Sequence, residues 1–274
     1  NFFDLLNSTP SSAVSETVGI YLEEALTLGK RTAELHLALA TPTDNLAFTL
    51  ENFTEQHFQQ LSDSFCQHAE MTRQVIEQSR ETLSDQTNKR LQKILDRFQK
   101  VLNQLQQIAA CTPNISKIRI HGDYHLGQLL WVENDFFIID FEGEPARSIE
   151  ERRMKQSPLK DVAGMIRSFS YAAHAALDSF VKNRPEDSDS FAPWASLWEK
   201  WVSATFLKGY LDLVRTAGFI PTDPNEFKTL LSAFILDKAF YELNYELNHR
   251  PDWVRIPISG IEMLLESQDS ITTS

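Results

Sequence analysis

The chain has 274 residues, of which 42% are hydrophobic, and a formal net charge of −12. This acidic balance argues against a broad interface with nucleic acid and against an anionic membrane surface. No apolar run approaches the roughly 18 residues of a membrane span, and no signal peptide is visible. The two cysteines, Cys66 and Cys111, lack the spacing of a zinc site and fit reduced thiols. We therefore expect a cytoplasmic protein.

The first part of the sequence is expected to be helical. Apolar residues recur at helical spacing over residues 15–40, 53–84 and 89–110, which predicts three long helices. The second and third helices are predicted to form an antiparallel hairpin that packs along its length. The expected inward stripe of the third helix is Leu91, Leu95, Phe98, Leu102, Leu105 and Ile108. We treat residues 1–112 as one helical region without a catalytic group.

The pattern changes at residue 113. The segments "ISKIRI", "QLLWV" and "FFIIDF" alternate or are β-branched, which predicts three short strands with a hairpin turn at residues 133–135. Beyond residue 158 the sequence predicts helices again, interrupted by a polar linker at 183–190. These helices are expected over residues 159–182, 193–216, 224–248 and 256–266. Residues 113–274 are expected to pack as one lobe, so the predicted fold class is mainly α (α+β) with a small β element.

Polar side chains lie at the ends of the predicted strands. Asp123 follows the first strand, Gln128 opens the second and Asp140 ends the third. Because a hairpin joins the second and third strands, we expect Gln128 and Asp140 to return to the same edge. Oxygen ligands without His or Cys suit Mg²⁺ and leave room for phosphate oxygens. Phosphoryl transfer needs such a set, in which one aspartate orients the attacking hydroxyl while an amide and a second aspartate hold the metal.

Two motifs add a family resemblance to this pattern. The segment "HGDYHLG" resembles the catalytic loop HGDxHxxN of the aminoglycoside-phosphotransferase-like kinases, and "IIDFE" resembles their metal-binding segment. Gln128 stands where those kinases usually have Asn. That departure, together with residues 28–39, 140–173 and 237–260, resembles the maltokinase branch, which makes maltose 1-phosphate from maltose and ATP. Members of this branch often occur fused to trehalose synthase, and the likeness runs from about residue 15 to 268.

The resemblance implies a role for each matching residue. The fold would be the C-terminal lobe of a protein-kinase-like enzyme, with Asp123 as the catalytic base. Gln128 and Asp140 would hold Mg²⁺, and Glu142 falls where relatives often carry a second acidic metal ligand. His121 and His125 are expected to support the loop by hydrogen bonds, because Asp123 is better placed to reach a substrate hydroxyl.

One helix carries a candidate sugar site. Lys238, Tyr241, Glu242 and Tyr245 share one face of the helix at 235–248, and Trp253 follows it. Two tyrosines one turn apart are most often a half-buried seam. A sugar site also wants aromatic faces beside hydrogen-bonding groups, and the resemblance favours that interpretation for maltose.

The remaining charged residues near this region have simpler interpretations. Arg152, Arg153 and Lys155 form a basic run, which we expect to be a solvated helix face or salt-bridge partners rather than a phosphate site. Asp161 is expected to cap or pair near the start of its helix.

Kinases of this type bind ATP under an N-terminal lobe that carries a strand lysine. No glycine-rich loop or Val-Ala-x-Lys strand precedes residue 120, so we expect that lobe to lie upstream and this chain alone to be weakly active or inactive. One alternative keeps the chemistry with another acceptor, such as an aminoglycoside, choline or another small alcohol. A second alternative is a non-catalytic kinase-like module associated with trehalose synthase. A trehalose-forming isomerase has no support, because the carboxylate pair and domain of such an enzyme are not recognisable here.

Overall fold

The computed structural model describes residues 1–111 and 114–269, and it is mainly helical. Its helices are α1 (Phe2–Leu5), α2 (Ser12–Leu39), α3 (Glu55–Ser79), α4 (Asp85–Asp96), α5 (Phe98–Gln106), α6 (Ile149–Arg153), α7 (Leu159–Val181), α8 (Ser188–Val214), α9 (Pro224–His249) and α10 (Arg255–Asp269). Its strands are β1 (Glu51–Asn52), β2 (Ser116–Lys117), β3 (Leu129–Val132) and β4 (Asp135–Ile138). None of the described helices is both long enough and apolar enough to span a membrane.

The chain forms two compact units. Unit 1 comprises Asn1–Asn52 and Asn114–Thr222, and unit 2 comprises the described residues within 53–111 and 223–269. Each unit therefore takes residues from both sides of position 113, where the sequence suggested a division. The domain boundary at residue 112 stays a prediction.

Unit 1 is built on two long helices, α2 and α8, which approach each other closely. A Cβ atom added to Gly29 of α2 would lie 2.1 Å from the carbonyl oxygen of Phe206, and one added to Gly209 would lie 2.4 Å from that of Leu26. Only glycine lets two backbones come so near. The helix predicted over 15–40 is thus confirmed as α2, and its buried side contains Leu28, Ala33 and His36.

The β segments of unit 1 are two antiparallel pairs, β1 with β2 and β3 with β4. The predicted hairpin is confirmed, with a turn of two residues, Glu133 and Asn134, whose φ angles are +52° and +63°. Positive φ at both positions is the geometry of the two-residue turns that match strand twist. On α2, Arg31 holds the start of β4 through Asp135, with Nε–Oδ1 at 2.8 Å and Nη2–Oδ2 at 2.9 Å.

Unit 2 is organised around α9, which begins where Asp223 caps the helix and Pro224 occupies its first position. Fourteen residues of α9 are buried, and a helix that is apolar on most sides belongs at the centre of a core. On α3, Phe65 packs edge-on against Phe234 at 5.2 Å, and the Thr72 hydroxyl donates to the carbonyl oxygen of Phe240 at 3.2 Å.

Two sequence predictions about helices were wrong in detail, and one short helix was missed. The helix predicted over 89–110 is two helices, α4 and α5, separated at Arg97, where φ is −104° and ψ is +10°. The buried stripe also differs from the expected one, with Ile94 and Val101 inside and Leu95 and Leu102 only half-buried. The predicted linker 183–190 contains the start of α8, and α6 was not predicted.

Candidate active site

The segment after β2 carries the candidate catalytic residues. Ile118 and Gln156 exchange backbone hydrogen bonds of 3.0 and 2.9 Å, which fixes the chain as it enters the loop. Gly122 has a φ of +86°, a left-handed conformation that glycine adopts without strain. Asp123 follows directly, and its side chain is 24% exposed. A partly exposed carboxylate on a fixed turn is accessible to a bound hydroxyl.

Asp161, near the start of α7, holds the backbone of this loop. Its Oδ2 accepts a hydrogen bond from the His121 amide at 2.7 Å, and its Oδ1 accepts one from the Gly122 amide at 2.9 Å. His36 Nε2 lies 3.2 Å from Oδ2. Burial acts to raise the pKa of Asp161, but the hydrogen bonds from His36 and the two amides outweigh it and keep that pKa below the usual aspartate range. Asp161 therefore pairs, as expected, but with the loop and α2.

His121 is buried and joins the loop to the residue after β4. Its Nε2 lies 2.8 Å from the carbonyl oxygen of Ile139, which can only accept, so Nε2 carries the hydrogen. Its Nδ1 then accepts a long hydrogen bond, 3.4 Å, from the Asp123 amide. The ring also contacts the rings of Tyr124 and Phe141. The bracing role expected of His121 stays a prediction.

His125 lies beside Asp123 and makes a local turn. Its Nδ1 accepts from the Gly127 amide at 3.0 Å, and its Nε2 is 3.9 Å from Asp123 Oδ2, which is beyond hydrogen-bonding distance. The geometry favours loop support over proton exchange with Asp123. This role of His125 stays a prediction.

The β3–β4 hairpin places Gln128 next to Asp140. Gln128 Nε2 donates to Asp140 Oδ2 at 3.0 Å, and the Ile139 amide donates to the Gln128 carbonyl oxygen at 3.0 Å. Asp140 has a φ of +64°, a conformation that is uncommon outside glycine and often marks a functional position. The two side chains thus meet at one hairpin edge, as the sequence suggested, and their role as metal ligands stays a prediction.

The donor set of this edge fits Mg²⁺. Among the described residues, no three His, Cys, Asp or Glu side chains form a group that could hold a metal by themselves. Mg²⁺ needs fewer protein ligands, because waters and phosphate oxygens complete its shell. Asp140 offers a carboxylate. Gln128 offers an amide oxygen if its Oε1 and Nε2 atoms exchange places, and the placement of these two atoms is assigned from hydrogen bonding alone. Glu142 is exposed near Asp140, and its part in a second metal site stays a prediction.

The basic run near this site is not one solvated face. The Lys155 side chain is only 8% exposed, and its Nζ contacts the Leu46 carbonyl oxygen at 3.0 Å, Thr49 Oγ1 at 3.2 Å and Glu51 Oε1 at 2.9 Å. Lys155 is therefore a salt-bridge partner, one of the two interpretations that the sequence left open. Its hydrogen bond to Glu51 outweighs partial burial and lowers the pKa of that carboxyl.

The five residues of the predicted sugar site lie in unit 2. Lys238 Nζ stands 4.7 Å above the centre of the Tyr241 ring, a cation–π contact. Tyr241 and Tyr245 are 38% and 43% exposed, whereas Glu242 is buried at 8%. The face therefore combines two open aromatic rings with a cation and a sheltered carboxylate. Both interpretations of this face, a half-buried seam and a sugar site, are compatible with this set of residues and stay predictions.

Arg250 organises the end of this face, and sequence analysis missed it. Its guanidinium lies 5.4 Å from the Tyr245 ring centre and 5.2 Å from that of Trp253. Glu246, which is 1% exposed, binds it with two hydrogen bonds of 2.9 and 2.6 Å. The spacing of four residues between Glu246 and Arg250 was the available signal. Arg250 thereby connects Tyr245 and Trp253.

Comparison with known proteins gives one family match and several relatives. Residues 16–193 match the model of the phosphotransferase enzyme family APH. A glucosamine kinase from Streptacidiphilus jiangxiensis is 29% identical over 149 residues, which are 54% of this chain and 32% of that protein. A glucosamine kinase from Mycolicibacterium smegmatis is 28% identical over 151 residues, 55% of this chain and 35% of that protein. The matches thus span about a third of these relatives.

Solved structures show the same fold. A glucosamine kinase in complex with glucosamine, ADP and inorganic phosphate superimposes with a TM-score of 0.68 at 23% identity, covering 92% of this chain and 57% of that one. A second crystal form of a glucosamine kinase gives a TM-score of 0.69 at 22% identity, covering 97% and 58%. The chain therefore has a kinase-like fold and spans a little over half of the chains it resembles.

Proposed function

The chain belongs to the phosphotransferase enzyme family, and from that membership we propose that it carries the catalytic groups of an ATP-dependent sugar kinase. One observation carries the proposal: Asp123 stands partly exposed on a loop that Asp161 holds, and His121 connects this loop to the hairpin that bears Gln128 and Asp140. Phosphoryl transfer requires a carboxylate near the acceptor and oxygen ligands near the phosphates.

Each group has one task in the proposed reaction. A carboxylate oxygen of Asp123 orients the acceptor hydroxyl and takes its proton, the acceptor oxygen bonds to the γ-phosphorus, and ADP leaves. Gln128 and Asp140 hold Mg²⁺, with Glu142 as a further acidic group. When bound, Mg²⁺ neutralises the charge of the phosphate oxygens. His121 and His125 keep the loop in place and exchange no proton with the substrate.

We propose maltose as the acceptor, with its anomeric hydroxyl converted to maltose 1-phosphate. The proposal rests on the resemblance of residues 237–260 to maltokinases and on the aromatic face of α9. Exposed rings of Tyr241 and Tyr245 suit the apolar faces of a sugar, while Lys238 and Glu242 offer polar groups for its hydroxyls. Trp253 adds a further ring. A fusion with trehalose synthase belongs to the same proposal.

Glucosamine is the second candidate acceptor. Both curated relatives named above are glucosamine kinases, and Glu242 is a sheltered carboxylate on α9 that could pair with an ammonium group. A non-catalytic module remains the alternative from another functional class. The intact set of Asp123, Gln128 and Asp140 speaks against that alternative.

The replacement Asp123→Asn tests the base assignment. The full-length protein is assayed for ADP release with Mg·ATP and a panel of maltose, glucosamine, glucose, choline and an aminoglycoside. We expect kcat to fall by roughly 10²–10⁴-fold on the best acceptor, because a positioned general base contributes about that much. Asp212→Asn, at an exposed carboxylate of α8, is the matched control and is expected to retain full activity.

The acceptor panel separates the candidates. A phosphorylated product that has lost its reducing end identifies the anomeric hydroxyl of maltose as the acceptor. Preference for glucosamine over glucose that disappears in Glu242→Gln would replace maltose by the amino sugar. Asp123→Asn activity within a few-fold of the unaltered protein would rule out Asp123 as the base.

A further inference from the structure

Helix α2 contacts the candidate catalytic loop from behind. Thr32 and His36 lie one turn apart on its buried side, and both are 0% exposed. The Thr32 hydroxyl lies 2.8 Å from the Tyr124 hydroxyl, and His36 Nε2 lies 3.2 Å from Asp161 Oδ2. One contact reaches the loop itself, and the other reaches the carboxylate that holds it.

We propose that His36 is a positioning residue for phosphoryl transfer, acting through Asp161 on the loop that presents Asp123. This inference rests on the proposed function. His36 touches no reacting atom; it orients the Asp161 carboxylate, which in turn fixes the amides of His121 and Gly122.

The hydrogen-bond partners of His36 determine which of its ring nitrogens donates and which accepts. Asp161 is ionised and can only accept, so Nε2 of His36 carries a hydrogen. Nδ1 then accepts from the hydroxyl of Tyr210, 3.0 Å away. The Tyr210 hydroxyl thus donates to His36, and Asp161 accepts from His36 Nε2–H and from the two loop amides. A ring with its two nitrogens assigned in this way has a single orientation.

The packing around His36 prevents the ring from moving away. Tyr210 lies on α8, where it is 0% exposed, and its ring meets the His36 ring edge-on at 5.6 Å between centres. The rings of His36 and Phe219 are also edge-on, at 6.4 Å. The close approach at Gly29, two turns earlier, fixes α2 against α8. His36 is therefore a rigid donor behind a loop whose own end is partly exposed.

The position of the loop at 120–127 depends on the His36 donor, whereas substrate binding does not. Oδ2 of Asp161 is shared by His36 Nε2 and the His121 amide, so loss of His36 lets the carboxylate rotate away from both amides. Asp123 is the next residue after Gly122. A displacement of about 1 Å in a reacting group can cost on the order of 100-fold in rate, whereas groups that bind the sugar and nucleotide are untouched.

Two variants of His36 provide the test. His36→Leu removes the donor, and His36→Gln retains an amide N–H that can reach Asp161. Hydrogen exchange of the peptide 120–127 is measured by mass spectrometry, and kcat and KM are measured in the full-length protein. Val214→Ala, at a fully buried position of α8 without a hydrogen bond to the loop, is the control for general loss of stability.

We expect loop exchange in His36→Leu to be at least about tenfold faster than in the control, with kcat lower by roughly 100-fold and both KM values within twofold. His36→Gln should restore most of the protection and rate. If His36→Leu does not fold, Tyr210→Phe, which removes only the hydroxyl donor, should show a smaller shift in the same two quantities.

Loop exchange in His36→Leu equal to that of the control, or no recovery in His36→Gln, would overturn the inference. If His36→Leu does not fold and Tyr210→Phe is used in its place, unchanged loop exchange together with unchanged kcat would also overturn the inference. Failure of the proposed function would be seen separately, as full activity of Asp123→Asn. That result would leave the hydrogen-exchange measurement on the His36 variants valid. Unchanged loop exchange together with inactive Asp123→Asn would remove the role of His36 alone.

Discussion

Replacement of Gly29 by alanine measures how closely α2 and α8 must pack. The added Cβ would lie 2.1 Å from the Phe206 carbonyl oxygen and 2.9 Å from the Tyr210 amide nitrogen, both of them backbone atoms. Ordinary contacts of a Cβ begin at 3.4 Å, so the helices must separate by about 1 Å or distort locally. Gly19 lies on the same helix, and a Cβ added there would meet no atom within 4 Å, so Gly19→Ala is the matched control.

The two substitutions should change stability in opposite directions. Alanine is favoured over glycine inside a helix by about 1 kcal/mol, and this gain applies at both positions. Overpacking of a core costs typically about 1–3 kcal/mol, and more where backbone atoms cannot yield. We expect the free energy of unfolding to fall by roughly 2 kcal/mol for Gly29→Ala and to rise by roughly 0.5–1 kcal/mol for Gly19→Ala.

Urea unfolding followed by circular dichroism measures these differences, and a thermal scan should show Gly29→Ala melting roughly 4–8 °C lower. Because His36 and Tyr210 face each other across the same interface, the Gly29 variant should also lose protection of the loop at 120–127. An equal gain in stability for both alanine variants would refute the close approach of α2 and α8.

Two further predictions follow from the polar contacts of unit 1. The pKa of Asp161 is depressed in the folded state, so its stabilising effect is complete above the ordinary aspartate pKa of about 3.9 and is lost as the pH falls through the folded-state value. Asp161→Asn should therefore unfold more readily at pH 7 and lose less stability than the unaltered protein on acidification. The titratable groups around Asp161 are His36 and the phenols of Tyr124 and Tyr210. Parallel curves of stability against pH for the two proteins would contradict this prediction. Lys155→Met should lower stability by roughly 1–2 kcal/mol and expose residues 45–51 to proteolysis, since three acceptors lose their donor, and unchanged protease resistance would count against that role.

Local sequence signals were sufficient for much of the fold and for the candidate catalytic segment. The apolar periodicity of residues 15–40 predicts α2, and alternation on either side of a polar turn predicts the β3–β4 hairpin. The hairpin in turn predicts that Gln128 and Asp140 meet, because a two-residue turn leaves their strands in only one register. Such features depend on neighbours within about a dozen residues.

The errors lie where distant packing overrules local preference. The helix expected over 193–216 starts five residues earlier, inside the predicted linker, where Phe191 packs against Phe180 at 4.7 Å. The break at Arg97 leaves the apolar spacing of 89–110 nearly unchanged, so periodicity could not reveal it. The sequence could not identify the partners of Lys155, because its acceptors lie more than 100 residues earlier in the chain.

The sequence by itself determined which residues could perform chemistry: an aspartate after a strand, and an amide and a second aspartate joined by a hairpin. The tertiary structure decided what holds them. His36 and Asp161 are 125 residues apart, and Thr32 and Tyr124 are 92 residues apart, so no periodicity or motif connects them. Their pairing arises because α2, α7 and α8 bury these polar groups together, and a buried polar group must find a partner.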